Sequence, residues 1–305
     1  MATTITISPV AYNGEASQQY LLKCMAGGKT AAAGVRFLDS VKFKINLKKL
    51  DATNLLVPAT CDYSPNGTIV ASADQYEVKE VQSEVQICWA DLVQLFGSEN
   101  LSAGVENGNV NQITDFSTSL IEIMTSKIAE SVDNMLWNSV ATSGTSVNDM
   151  FDGYLHILDN HGGLKVTGTT GATNASTIIA KFYAVLGQAP SCVSSKNPSE
   201  LVFFTNGKTR ALLQQAYSAF QNITPVGTIA STFMGIDVVM IPALPDGVII
   251  FGERKNFVIM TDLYSDFNSV TVLDERPKYN YVVFILRGKL VAGIGFPEEV
   301  TVLGL

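Results

Sequence analysis

From Asp115 to Val140 the chain reads DFSTSLIEIMTSKIAESVDNMLWNSV, with no glycine and no proline. Phe116, Leu120, Met124, Ile128, Val132, Leu136 and Val140 recur at every fourth position. Ile121, Ile123, Ala129, Met135 and Trp137 broaden that apolar stripe, while Glu122, Lys127, Glu130 and Asp133 lie off it. The spacing predicts one amphipathic helix, with Asp115 or Ser117 available to cap its first turn. At 1.5 Å per residue it would be roughly 39 Å long, well above the average for a helix. A helix of that length serves as a beam, so the sequence on either side of it decides the fold.

A chain of 305 residues can bury a sizeable core in one large or two modest domains. Charged residues make up 16% of it, where about 25% is typical. Such a surface is expected to be covered, most simply by copies of the same chain. A membrane is the rival cover. The most apolar window, Val238 to Phe251, is broken by Pro242, Pro245, Asp246 and Gly247 and does not supply the ~20 apolar residues of a span. The start, MATTITISPVAYNGE, has neither a basic region nor an apolar core, so no secretory signal and no membrane partner are expected. Cys24, Cys61, Cys88 and Cys192 stand far apart without CxxC spacing, which predicts reduced thiols, no metal and no disulfide framework.

Charge is unevenly spread. Residues 1–50 carry seven basic side chains against Glu15 and Asp39, a net of +5; residues 51–110 carry nine acids against Lys79, a net of −8. Adjacent blocks of opposite sign are suited to meeting each other, within a chain or between chains, or else form two solvated faces. Val41 to Leu47 alternates strictly and reads as a strand with Val41, Phe43, Ile45 and Leu47 on one face and Lys42 and Lys44 on the other. Tyr76 to Trp89 reads as its partner, with a change of phase near Glu80 that suggests a β-bulge. Between them lies the turn signal Ser64-Pro65-Asn66-Gly67. Glu77, Glu80 and Glu84 would then face the lysines. Isolated hairpins are marginal in water, so this one either lies on another surface or folds back on its own domain.

Elsewhere a helix is expected near Glu15 to Met25, followed by a flexible Gly/Ala-rich joint, and a short one at Ala90 to Phe96. Residues 141–176 are rich in Gly, Thr and Ser and read as loops. An αβα pattern follows: helix Ala175 to Leu186, strand Leu201 to Thr205, helix Lys208 to Phe220, then strands Ile236 to Ile241 and Val248 to Phe251. The tail reads as strands at Ser269 to Leu273, Tyr279 to Arg287, Lys289 to Ile294 and Glu299 to Leu303.

No catalytic constellation emerges. Gly28-Lys29-Thr30 and Gly207-Lys208-Thr209 imitate a phosphate loop, but the glycine such a loop needs five residues earlier is Lys23 or Val202. His156 and His161 have no ligand-spaced partner and read as surface loop residues. Asp149, Asp152 and Asp159 lack the spacing of a cation loop, and Gly293-Ile294-Gly295 is too short for a dinucleotide site. Catalytic residues, cofactors and metals are therefore expected to be absent. The basic block can meet phosphates by charge alone, without the aromatic interleaving of single-strand binders.

In its order of elements the chain resembles the major capsid proteins of tailed bacteriophages, a fold shared with encapsulin shells. The C-terminal third carries most of the likeness: Met234 to Val239, Pro242 to Gly247, Val248 to Gly252, Val270 to Leu273, then Arg287 to Pro297. The resemblance implies an α+β fold with an N-terminal arm (1–40) and an extended β-hairpin loop (41–90). A peripheral domain (91–145) would hold the spine helix 115–140. An axial α/β subdomain (146–255) and return strands (256–305) would complete both. It further implies a structural subunit of an icosahedral shell, built of hexamers and pentamers in the host cytoplasm and enclosing double-stranded DNA in the virion. Lys42, Lys44, Lys48, Lys49, Glu77, Glu80 and Glu84 are the candidate intersubunit contacts, and axial loops 141–176 and 221–232 would meet near a symmetry axis. The chain starts with Met, without a helical scaffolding segment, so a separate scaffolding protein and a portal are the expected partners, with non-specific contact to packaged DNA. The alternatives are an encapsulin-like compartment with protein cargo and, in another class, a soluble α/β enzyme built on 175–251. A surface adhesin is disfavoured by the missing export signal.

Overall fold

The computed structural model describes residues 29–53, 55–56, 67–88, 113–142, 146–167, 172–221, 232–262, 270–275 and 281–305. The expected helices at 15–25 and 90–96, the turn residues 64–66 and the loop 222–231 lie outside them.

The long apolar stripe forms helix α1, Ile113–Asn138. In its last turns Met135, Leu136 and Trp137 are buried, while Lys127 and Glu130 pair in solvent at 2.7 Å. The helix stops before Val140, which the sequence had placed in the stripe. Its backbone N–H donates instead to Asn148 O at 2.9 Å, and its side chain is exposed. Gly153 returns against the helix end, its N–H donating to Ser139 O at 2.7 Å. A Cβ there would fall 2.8 Å from Trp137 O, so the close approach requires glycine.

Two sheets pack about this beam. The first contains β1 (Arg36–Leu38), β4 (Lys79–Cys88), β10 (Phe257–Thr261), β11 (Val270–Asp274) and β12 (Tyr281–Ile294), in the order β1-β10-β12-β11 with β4 also on β12. The second contains β5 (Leu164–Lys165), β6 (Leu201–Thr205), β7 (Thr232–Phe233), β8 (Ile236–Met240), β9 (Ile249–Glu253) and β13 (Thr301–Leu303), in the order β5-β13-β9-β6-β8-β7. Helices α2 (Tyr154–Asn160), α3 (Ile178–Gln188) and α4 (Gly207–Gln221) complete the main elements. The last pair of strands, β2 (Lys44–Thr53) and β3 (Thr68–Glu77), forms a separate two-stranded sheet.

Trp137 joins the two sheets. Its ring lies 4.9 Å from that of Tyr154, 5.2 Å from Phe204 of β6 and 6.0 Å from Phe257 of β10. Its Nε1–H donates to Thr30 Oγ1 at 2.8 Å, and the Tyr154 hydroxyl donates to Val258 O at 3.0 Å. Both polar tips of these buried rings are thereby satisfied. On the far side of the second sheet, Phe182 and Val185 of α3 and Leu213 of α4 pack on Phe203, Phe251 and Phe233. Among the described residues no helix is long and apolar enough to cross a membrane.

Several expectations need correction. The run 76–89 is not one bulged strand. It is the end of β3 and the whole described length of β4, broken at Val78, which is buried and donates its N–H to Phe43 O at 2.9 Å. Beyond that point the chain leaves the hairpin and pairs with β12 from Lys79↔Leu290 to Cys88↔Tyr281. The phase change near Glu80 marks a switch of partner. Gly288 does not divide the tail into two strands, because β12 continues through it with β4 alongside. Phe257–Thr261, entirely buried, is a strand that the sequence reading missed, since a short uniform apolar run has no period to betray it. His156 lies on α2, not in a loop. Its Nδ1 is 2.9 Å from Asp152 Oδ1 and its Nε2 is 2.8 Å from Asn160 Nδ2.

Candidate intersubunit surface

The hairpin β2–β3 has ten registered pairs, from Lys44↔Glu77 to Thr53↔Thr68. Directly opposed residues share a face. One face therefore carries Ile45 with Tyr76, Leu47 with Asp74 and Lys49 with Ser72, then Asp51 with Val70. The other carries Lys44 with Glu77, Asn46 with Gln75 and Lys48 with Ala73, then Leu50 with Ala71 and Ala52 with Ile69.

Burial along the hairpin changes abruptly. Ile45, Leu47, Lys49, Asp74 and Tyr76 are half-buried against the body, whereas everything from Leu50 to Thr53 and from Thr68 to Ala73 is exposed on both faces. The base is anchored by chemistry. The Tyr76 hydroxyl donates to Ile294 O at 3.2 Å and accepts the Ile294 N–H at 3.4 Å. Burial raises its pKa above the ordinary tyrosine value. A Cβ on Gly293 would lie 3.1 Å from the Tyr76 ring and 2.3 Å from Met260 Cε, which is why glycine stands there. Lys49 pairs with Asp74, and its ammonium sits 5.7 Å from the centre of the Phe296 ring. Lys289 lies 5.6 Å from the Phe43 ring and 3.0 Å from the carboxylate of buried Asp262.

Among the described residues, nothing covers the distal half in this way. Leu50 is 72% exposed, Ile69 67%, Leu55 59% and Leu56 96%. Each leucine or isoleucine left in water forgoes roughly 1.5–3 kcal/mol of burial.

Of the seven residues singled out from the sequence, five lie on or beside the hairpin. Lys42 is exposed just before β2, and Lys44 faces Glu77 with 3.5 Å between charges. Glu77 also accepts from Lys79 at 2.7 Å, and these cations hold its carboxyl below the usual range. Lys48 faces Ala73, and Lys49 turns toward the body. Glu80 and Glu84 do not meet the lysines: they stand opposite Lys289 and Ile285 on β12, and Glu84 is 3.8 Å from Arg287. The alternation that marked them was real, but its partner strand came from the far end of the chain. Exposed pairs of this kind contribute ~0–1 kcal/mol. Tyr76, Gly293 and the four exposed aliphatics matter more, and sequence reasoning assigned none of them a role.

The remaining motifs resolve into structure. Asn206 Oδ1 accepts the Thr209 N–H at 2.8 Å at the start of α4, and Thr209 Oγ1 accepts the Gly247 N–H at 3.1 Å. Thr30 is the buried partner of Trp137. Among the described residues no group of three or more His, Cys, Asp and Glu is placed to hold a metal ion.

A beam helix, two sheets sharing one aromatic junction and a projecting hairpin together define the phage capsid fold. Its likeness to solved structures covers nearly the whole chain. It matches a chain of the satellite phage P4 procapsid including size determination protein at TM-score 0.58, with 12% identity over 94% of this chain and 98% of that one. It matches the virus-like particle from Pyrococcus furiosus at 0.57, with 12% identity over 95% and 98%. It matches the capsid of Myoviridae phage XM1 at 0.56, with 12% identity over 100% and 96%. No protein-family model and no curated protein matches the sequence.

Proposed function

We propose that this chain is the structural subunit of an icosahedral viral capsid, assembling into hexamers and pentamers that enclose double-stranded DNA. The observation that carries the reading is the distal hairpin, a registered ladder whose apolar side chains are exposed and find no cover among the described residues. A surface of this kind is completed by a neighbour, and the neighbour at hand is another copy. In this reading the first sheet and α1 belong to a peripheral domain, and the second sheet with α3 and α4 to an axial domain near the symmetry axis. Scaffolding protein, portal and packaged DNA are the partners, the last met through charge alone. The chain works by geometry and binds no cofactor.

Removing residues 50–75 tests this. The shortened chain is expected to stay folded and sediment as a monomer, while the full chain forms shells visible by negative-stain electron microscopy. Normal shells from the shortened chain would refute the assignment. The likeness to a virus-like particle supports a second reading, an encapsulin-like compartment. Nuclease-protected DNA inside the shells favours the capsid, and co-purifying protein cargo the compartment.

A further inference from the structure

The sequence has two Asp-Gly steps, Asp152-Gly153 and Asp246-Gly247. Such a step is the weakest point of a polypeptide toward one spontaneous reaction. The glycine nitrogen attacks the aspartate Cγ, an N–Cγ bond forms as a Cγ–O bond breaks, and water leaves. Water then reopens the five-membered ring, and the main chain runs on through the side chain as isoaspartate. Glycine favours the attack because no side chain shields its nitrogen. The carboxyl must be protonated to react, since a carboxylate has no good leaving group.

The turn between β8 and β9 calls for both residues of the second step. Gly247 has φ +85°, and a Cβ there would lie 3.0 Å from Thr173 Oγ1. Asp246 is the acceptor on which the start of α4 closes. Lys208 Nζ donates to one carboxylate oxygen at 2.6 Å, and buried Asn206 donates its Nδ2–H to the other. Buried Thr209 completes the arrangement, its Oγ1 accepting the Gly247 N–H at 3.1 Å. The Gly207-Lys208-Thr209 run that imitates a phosphate loop thus takes a carboxylate of its own chain as its anion.

We propose that Asp246-Gly247 is a latent isomerisation site, held unreactive by Lys208, Asn206 and Thr209. The contacts oppose the reaction at each of its atoms. Ring closure needs Cγ to swing onto the Gly247 nitrogen, which breaks the bonds to Lys208 and Asn206. The nitrogen must shed its proton, which Thr209 holds in a hydrogen bond. The bond from Lys208 keeps the Asp246 carboxyl below the ordinary aspartate range, aided by the ammonium charge and by Asn206, so less of the reactive acid is present. Failure would be felt in the second sheet. Isoaspartate adds a carbon to the main chain just before Val248, whose carbonyl accepts the buried Thr205 hydroxyl at 3.1 Å. All these groups belong to one chain, so the inference does not rest on assembly.

The other Asp-Gly step serves as an internal control. There Asp152 accepts the Ala141 N–H at 2.8 Å, and Gly153 donates its N–H to Ser139 O at 2.7 Å, with no part played by α4. The folded parent, the parent in denaturant, Lys208→Gln and Thr209→Val are aged at about pH 5, roughly one unit above the ordinary aspartate pKa. Peptide mapping then reads isoaspartate at each step. Both steps should react slowly in the folded parent and fast in denaturant. Each variant should react several-fold faster at Asp246 and no faster at Asp152, with Thr209→Ser, which keeps the hydroxyl, matching the parent. Lys208 is mostly exposed, so its variant is expected to keep the parent's melting curve. If Thr209→Val does not fold, Lys208→Gln decides alone. A folded parent that isomerises at Asp246 as fast as the denatured chain overturns the proposal. So does an unchanged rate in a folded variant, or an equal rise at both steps, which would mark general loosening.

Discussion

β6 and the hairpin are both regular β-structure, and their side chains meet opposite fates. Every residue of Leu201–Thr205 is buried, between β9 and β8 and beneath α3 and α4. In the hairpin the backbone ladder is twice as long, yet every residue from Leu50 to Thr53 and Thr68 to Ala73 is exposed. Backbone pairing alone adds little net stability, because water offers the same hydrogen bonds in the unfolded chain. β6 persists because of what it buries. The distal hairpin, among the described residues, lacks that, and its apolar side chains stay exposed.

The contrast breaks most visibly at the aromatic junction. Trp137→Ala empties the site where Tyr154, Phe204 and Phe257 converge, and a loss of about 3–5 kcal/mol is expected in chemical denaturation of the monomer. Gly293→Ala acts where hairpin and body touch. The Met260 terminus can swing aside, but the Tyr76 ring is held by Ile294, so a cost of about 1–3 kcal/mol is expected. Faster proteolytic cutting of the hairpin base would accompany it, and an unchanged cutting rate would show that Tyr76 does not anchor the arm.

A smaller effect is expected at Asp133, buried on α1, whose carboxylate accepts the Lys29 N–H at 2.8 Å. Burial raises its pKa above the ordinary aspartate value, against the opposing pull of hydrogen bonds from Thr30 and Lys29. The folded chain therefore holds this proton more tightly than the unfolded chain. Its contribution to stability is full below the unfolded pKa, near 3.9, and is lost as pH rises through the higher folded value. The loss amounts to about 1.4 kcal/mol for each unit between the two. Denaturation midpoints from pH 3.5 upward should show this fall in the parent and not in Asp133→Asn. Ile69→Ser should have the smallest effect, within about 0.5 kcal/mol on the monomer. On the proposed shell reading its effect falls on assembly, and a large drop in monomer stability would mean that the hairpin folds back on its own chain.

How much of this could be read beforehand follows from where the information lies. The beam helix was legible because its period repeats over seven turns, and its ends were misjudged: it begins at Ile113, so Asp115 and Ser117 lie inside it rather than capping it, and it stops before Val140, where Gly153 draws the chain away. Leu201 to Thr205 and the two helices beside it were legible from turn signals and apolar content. Phe257–Thr261 and Tyr154–Asn160 were not: the first is uniformly apolar, and the second sits among glycines and threonines that suggest loops. For the hairpin, the pairing of Lys44 with Glu77 was foreseeable from alternation, but the departure of β4 to β12 was not. Nothing local to Glu80 or Glu84 states that their opposite numbers are Lys289 and Ile285.

By itself, then, the sequence determined the beam helix, the strand Leu201–Thr205 with the helices on either side of it, that charge is scarce, and that a long ribbon precedes the beam. Periodicity and composition are local quantities, and these follow from them. Tertiary structure alone decided that the ribbon divides at Val78, that Tyr76 ties its base to the far end of β12, and that the leucines beyond are left in water. Those outcomes depend on which distant backbone competes for the same hydrogen-bonding edge, and alternation within a strand carries no record of its partner.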